Sequence, residues 1–245
     1  MDHKDIWDVE AAKSYDTPGT GMFDPVLLKQ TSDYLVKLAE GGPVLEFAIG
    51  TGRVAIPLAE RGLRVSGIEF SQPMIDELRS KIDAETMPVV LGDMTSATLP
   101  GRFSLILLLF NGISNVLTQA EQIASFANAK KHLLPGGRFV IELWVPDLRR
   151  LPPGAEAAVF STQPGYIGLD TIDTLNQIVI SHHFRFGEGH DATLFRSPHR
   201  YVWPAELDLM AEITGFKLES RHADWLGAPF TAESRSHISV YRLKS

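Results

Sequence analysis

The chain of 245 residues contains no cysteine. That absence excludes disulfides, thiolate zinc sites, iron–sulfur clusters and a cysteine nucleophile. Long hydrophobic runs are missing too. The longest, Leu105–Phe110, is far too short to cross a bilayer, so no membrane partner is expected. Basic stripes are absent: the 23 Lys and Arg are outnumbered by 30 Asp and Glu, and the formal charge of −7 is spread along the chain. A nucleic-acid partner needs clustered cations against its phosphates, and none occur. The first residues, Met1-Asp2-His3-Lys4-Asp5, are charged and lack an apolar signal core, which points to the cytoplasm. Internal repeats and low-complexity tracts are not seen.

What is present is an alternation of short apolar runs and helical patterns. Ile6–Asp16 reads as a short helix, and Asp24-Pro25 opens another that Gly41-Gly42 closes. Then follow a strand Val44–Ile49, a helix Arg53–Arg61, a strand Leu63–Phe70 and a helix Pro73–Ile82. Val89–Leu91 is a short strand, and the fully apolar Phe103–Phe110 suits a strand covered on both faces. Thr118-x-x-Glu121 is a capping-box signature for a helix through Leu134, and Pro135-Gly136-Gly137 turns the chain into a fifth strand, Arg138–Trp144. Strands alternating with helices imply a doubly wound, mostly parallel α/β sheet. After Pro152-Pro153 the pattern becomes β-like without helices, with Asn176–Phe186 and Thr193–Tyr201 joined at Gly187-Glu188-Gly189. An antiparallel hairpin insertion after strand five is therefore expected. Pro204 starts a helix that Gly215 ends, and Phe216–Ala223 and His237–Leu243 supply two last strands. The simplest account is one domain over residues 1–245, with a helical cap over about 1–40 and a β lid over about 156–202.

The chemistry concentrates at V-L-E-F-A-I-G-T-G, Val44–Gly52. A strand running into glycines and then a helix brings bare backbone N–H groups against a nucleoside-bearing cofactor. Gly50-Thr51-Gly52-Arg53-Val54-Ala55 satisfies the loose dinucleotide pattern, and Glu69 lies 19 residues beyond Gly50, where an acid takes ribose hydroxyls. Alone, this fits a nicotinamide cofactor and S-adenosylmethionine nearly equally. Glu46, four residues ahead of Gly50, breaks the tie. A carboxylate there repels a pyrophosphate but favours a cationic amino-acid sulfonium. Gly92-Asp93-Met94 after the third strand places an acid near an adenine amino group, and Phe110-Asn111-Gly112 makes a polar break at the end of the fourth.

On these residues, together with Leu134-Pro135-Gly136-Gly137, the chain resembles the class I S-adenosylmethionine-dependent methyltransferases. The resemblance covers about Val44–Trp144 with specific motifs. Ala12-x-x-Tyr15-Asp16 and the insertion also resemble a small-molecule subgroup that includes sugar N,N-dimethyltransferases. It implies a Rossmann-like sheet of seven strands. It further implies that Glu46, Ala48, Gly50, Gly52 and Arg53 hold the methionine end, that Glu69 and Phe70 meet ribose and adenine, and that Asp93 and Met94 flank the adenine. Phe110 and Asn111 would line the strand end toward which the methyl points, and Tyr15 would close over methionine or acceptor. Each has a plainer reading: a strand-to-helix turn, a solvated acid, a turn-forming Asp93, a loop Asn111, a packed Tyr15. The family's usual motif has glycine where this chain has Ala48, a change tolerable only if Ala48 keeps a negative φ and its methyl avoids the cofactor.

The activity this implies is methyl transfer to a small-molecule acceptor, on nitrogen or oxygen, by in-line displacement. The alternatives are a nicotinamide-dependent oxidoreductase using the same glycine loop, or a non-catalytic adenosyl-binding module. No catalytic base is identified; the lack of an obvious His–Asp pair favours an amine or carboxylate acceptor. His182 and His183 are adjacent in a strand and point to opposite faces, so with His190, Asp191 and His199 they match no metal-ligand spacing, and no metal is expected. A monomer or a homodimer fits equally.

Overall fold

The computed structural model describes residues 7–187 and 191–244. Ile6 of the expected first helix, Glu188 and Gly189 of the expected turn, and His190 lie outside that range. Along the chain run α1 (Val9–Tyr15), α2 (Pro25–Ala39), β1 (Val44–Phe47), α3 (Ala55–Glu60), β2 (Val65–Glu69), α4 (Gln72–Arg79) and β3 (Val89–Leu91). They continue with β4 (Phe103–Leu108), α5 (Gln119–His132), β5 (Leu133–Trp144), β6 (Ala157–Gln163), β7 (Tyr166–Asp173), β8 (Ile178–Phe186) and β9 (Ala192–Arg200). The last three are α6 (Pro204–Thr214), β10 (Phe216–His222) and β11 (Ser236–Leu243).

Seven strands form one sheet in the order β10-β11-β5-β4-β1-β2-β3. From β5 to β3 every pairing is parallel; β11 joins antiparallel to β5, and β10 to β11. This is the expected Rossmann-like, mostly parallel sheet. The chain order reverses beside β1, so a crevice opens at the carboxyl ends of β1, β2 and β4.

Side-chain alternation explains the layering. On β4, Leu105 and Leu107 pack into the layer of α2 and α3 with Leu35, Ala39 and Leu58, while Ile106 and Leu108 pack into the layer of α5 and α6 with Phe126 and Met210. A strand buried on both faces can be apolar on both, as this one is from Leu105 to Leu108. The helices start where local chemistry says. The Asp24 carboxylate accepts from Val26 N (2.8 Å) and Leu27 N (3.1 Å) ahead of Pro25, and Thr118 Oγ1 accepts from Glu121 N (3.2 Å) to open α5.

Two expectations need correction. Pro135-Gly136-Gly137 is not a separate turn: β5 begins at Leu133, straight after α5, and residues 134–137 bulge out of register between Phe103↔Leu133 and Leu105↔Arg138. The insertion after β5 is also larger than one hairpin. The two recognised runs are β8 and β9, and β6 and β7 complete a separate four-stranded antiparallel sheet in the order β6-β7-β8-β9.

A buried polar network ties this second sheet to the first. Arg200, 5% exposed, donates to Gln122 Oε1 (2.5 Å), Gln177 Oε1 (2.9 Å) and Glu206 Oε1 (2.7 Å). Gln122 Nε2 in turn donates to the carbonyls of Ile113 and Val116 (both 3.1 Å). A buried guanidinium is tolerated only because its donors are matched in this way.

Candidate active site

The glycine turn after β1 is built from left-handed backbone. Ala48, Gly50 and Gly52 have φ of 51°, 58° and 85°. At Gly52 a Cβ would lie 2.3 Å from Leu78 Cδ1, so glycine there permits α3 and α4 to pack. At Gly50 the nearest atom to a Cβ would be Ala48 O at 4.0 Å, so that backbone faces open space. The condition set on Ala48 fails, because its φ is positive. An L-residue in that conformation carries roughly 1–2 kcal/mol of strain. Ala48 lines the cleft.

Two acids define the floor. Glu46 projects from β1 on the same face as Val44, is 5% exposed, and its Oε2 has no hydrogen-bond partner. Burial pushes its carboxyl up to about 8; Arg53 pulls the other way, and the negative charges of Glu69 and Glu142 add to the rise. Glu69, 7% exposed at the tip of β2, accepts from Gly50 N (2.8 Å), Phe70 N (2.9 Å) and Ser71 N (2.9 Å). Burial raises its carboxyl, and these three N–H groups, Ser71 first, offset part of that.

The N-terminal segment is strapped across this floor. Ser71 Oγ donates to Trp7 O (2.7 Å), Thr51 Oγ1 donates to Asp16 (2.6 Å), and Lys81 Nζ pairs with Asp16 and reaches Thr51 O (2.9 Å). Tyr15 lines the cleft with its ring edge-on to Trp7 (5.5 Å) and Phe23 (6.1 Å), and its hydroxyl approaches Met22 Sδ at 3.9 Å. Arg53 donates to Met22 O (3.2 Å), and its guanidinium stands 5.3 Å from the Phe110 ring centroid. Glu46, Ala48, Gly50, Arg53, Tyr15, Glu69 and Phe110 are thus brought together around one cavity.

A larger cavity of about 530 Å³ adjoins it, sharing Trp7, Ala48, Glu69 and Asn115. Phe70, Asp93 and Met94 line it. Asp93 spends Oδ1 on Thr95 N (2.7 Å), the plain turn-forming bond, which leaves Oδ2 for another donor. Gly52 lies outside both cavities and contributes packing. Asn111 is not in the cleft either. Its left-handed backbone (φ 64°) and the bond from Trp144 N to its Oδ1 (2.8 Å) direct it to a neighbouring cavity under the second sheet.

Sequence reasoning missed Trp7, Asn115, Val116, Leu117 and Glu142. The segment after Phe110 could have been examined as a second loop at the same sheet edge. Trp7 and Glu142 offered no local signal. Trp7 is placed by Ser71 and Glu142 by donation from Trp225 Nε1 (3.0 Å) and Phe110 N (2.8 Å), contacts remote in sequence. His182 and His183 bond to Thr171 (2.9 Å) and Tyr166 (2.7 Å), and no metal-ligating cluster occurs among the described residues.

With that geometry in hand, comparison with known proteins is informative. A family model described as a methyltransferase domain matches residues 44–137. The CcbJ methyltransferase from Streptomyces caelestis is similar over 100% of both chains, at 36% identity and a TM-score of 0.87. The cypemycin N-terminal methyltransferase of a Streptomyces species is 28% identical over 256 residues, 98% of each chain. CalS10, an amino pentose methyltransferase from Micromonospora echinaspora, shares the fold at 18% identity and a TM-score of 0.69, over 91% of this chain and 92% of its own.

Proposed function

The chain belongs to the class I S-adenosylmethionine-dependent methyltransferases, and from that membership we propose that it methylates an amine nitrogen on a small-molecule acceptor. The observation that carries the cofactor assignment is Glu46: a buried carboxylate facing the cleft with one oxygen unsatisfied. Such a group is costly unless a cation meets it. A zwitterionic methionine end supplies that cation. A pyrophosphate in this cleft would face two acids, Glu46 and Glu69. This argues against a nicotinamide cofactor.

In this reading the ammonium of the methionine end meets Glu46, and Gly50, Tyr15 and Arg53 surround the rest of that end. Glu69 has three of its roughly four acceptor positions engaged by backbone, leaving capacity for a ribose hydroxyl. Asp93 Oδ2 would accept from the adenine amino group, with Phe70 and Met94 as apolar cover. The cofactor supplies a sulfonium methyl already activated for displacement. The protein supplies alignment, and the strapped N-terminal segment excludes water. The acceptor nitrogen's lone pair forms the new bond to carbon, the broken bond's electrons stay on sulfur, and the product ammonium loses a proton to water. An amine needs only to arrive neutral, which agrees with a cleft that holds no His–Asp pair among the described residues. The names of several relatives, sugar N-methyltransferases among them, favour nitrogen as well. We assign residues 157–200 the role of a lid over the acceptor.

Isothermal calorimetry tests the cofactor assignment. S-adenosylhomocysteine should bind with one-to-one stoichiometry and NADH should not. Binding of NADH alone would overturn it.

A further inference from the structure

Beside the cofactor cleft lies a second cavity of about 440 Å³, between the carboxyl ends of β4 and β5 and the inner face of the four-stranded sheet. The two adjoin along residues 110–115. Phe110 lines the cleft and Asn111 the second cavity; Asn115 lines the cleft and bonds through Oδ1 to His199 Nδ1 (3.2 Å), which lines the second cavity. The volume suits a small organic molecule.

The lining is divided in character. Trp144, Leu148 and Val179 give apolar walls, while Asp147 and Asp170 bring two carboxylates. The two acids are not equivalent. Asp147 already stands 3.6 Å from Arg149 and 3.7 Å from Arg235. Asp170 accepts from Ser181 Oγ (2.7 Å), and among the described residues no cation lies within ion-pair distance of it. Arg235, the one cationic residue of the lining, has a side chain 83% exposed at the rim.

The sheet register extends this cavity outward. Asp170 pairs with Ser181 and Ser181 with Ser197; two residues further along each strand, on the same face, stand Gly168, His183 and Phe195. Phe160 lies flat on Gly168, where a Cβ would come within 2.2 Å of its ring. His183 is bracketed by Phe160 (5.7 Å), Tyr166 (6.1 Å) and Phe195 (5.6 Å). Burial holds its imidazole below the usual range, so the row stays neutral and does not repel a cation. Phe160 and Phe195 remain 38% and 43% exposed, an aromatic surface with nothing on it among the described residues. Two residues of strand separate it from the Asp170 row, roughly 7 Å.

We propose that this cavity and the aromatic row beyond it form the acceptor site, and that the acceptor is an ammonium-bearing molecule with an apolar or aromatic body. Asp170 meets that ammonium, which is a group other than the nitrogen that accepts the methyl, and Phe160 and Phe195 carry the body. The inference rests on the methyl-transfer reading above and adds to it the acceptor's class and its place.

The test is binding, not turnover. With the protein saturated in S-adenosylhomocysteine, 3-phenylpropylamine, whose length matches the spacing, is titrated calorimetrically against the neutral 3-phenylpropan-1-ol. The amine should bind at least tenfold more tightly. Asp170→Asn should abolish that preference, and Phe195→Ala should weaken both probes alike. Neither variant should change the Kd for S-adenosylhomocysteine, which also verifies folding. Equal binding of amine and alcohol by the unaltered protein, or a preference that survives Asp170→Asn, overturns the proposal. Failure of S-adenosylhomocysteine itself to bind would instead remove the cofactor assignment, and this inference with it.

Discussion

The protonation of Glu46 makes binding at the cleft a proton-coupled event. With its carboxyl pushed up to about 8, the free protein at pH 7 holds that proton in roughly nine-tenths of molecules. An ammonium brought against the unsatisfied oxygen favours the ionised form, so the proton must leave as the ligand enters. The ligand's own α-amino group stands beside a free carboxylate, not a peptide bond, so it is already an ammonium at pH 7 and takes up no appreciable proton. The balance is a release of about 0.9 proton per S-adenosylhomocysteine bound at pH 7. Deprotonating Glu46 there costs about 1.4 kcal/mol, a factor of about ten in affinity.

Calorimetry in phosphate and in Tris, whose ionisation enthalpies differ widely, reads the proton count directly from the change in apparent heat. Glu46→Gln should abolish the release. Heats that do not depend on buffer in the unaltered protein would refute the reasoning, because Glu46 would then be ionised already or would not meet the ligand. The same group affects stability with a definite sign. Its proton is kept in the folded state up to about pH 8 but lost in the unfolded chain near 4.5, so unfolding releases a proton and stability falls as pH rises between those values. Thermal melts should therefore show Glu46→Gln gaining over the parent as pH rises from 5 to 8, by about 2–3 kcal/mol at pH 7.

Three further outcomes follow from the geometry. Ala48→Gly removes the left-handed strain at φ 51° and should raise Tm by ~1–3 °C in a scanning melt, since the relief of roughly 1–2 kcal/mol exceeds the added freedom of the unfolded chain; a lower Tm would contradict it. Glu69→Ala should weaken S-adenosylhomocysteine at least tenfold and also destabilise the fold by about 2–3 kcal/mol in urea, because three N–H donors lose their acceptor. Affinity lost without stability would mean those bonds carry no weight. Arg200→Leu should cost roughly 3–5 kcal/mol in the same assay, because Glu206, Gln122 and Gln177 are left without their donor. A loss below about 1 kcal/mol would show the network to be a minor tie.

Local pattern by itself determined the architecture and the place of the cleft. Continuous apolar runs such as Leu105–Leu108, caps such as Asp24 and Thr118, and the glycines after β1 each act within a few residues, so they can be read along the chain. Glu46 and Glu69 were legible for the same reason: a strand end followed by a glycine turn places them. Tertiary structure alone decided the sign of φ at Ala48, the proton on Glu46 and the exclusion of Asn111 from the cleft. It also decided the strap from Trp7 to Ser71 and the cavity beneath the second sheet. Those depend on which groups meet across large separations, Asp16 with Thr51, Asn115 with His199, Glu142 with Trp225, and on how much water remains between them. A residue's neighbours in sequence carry no record of either.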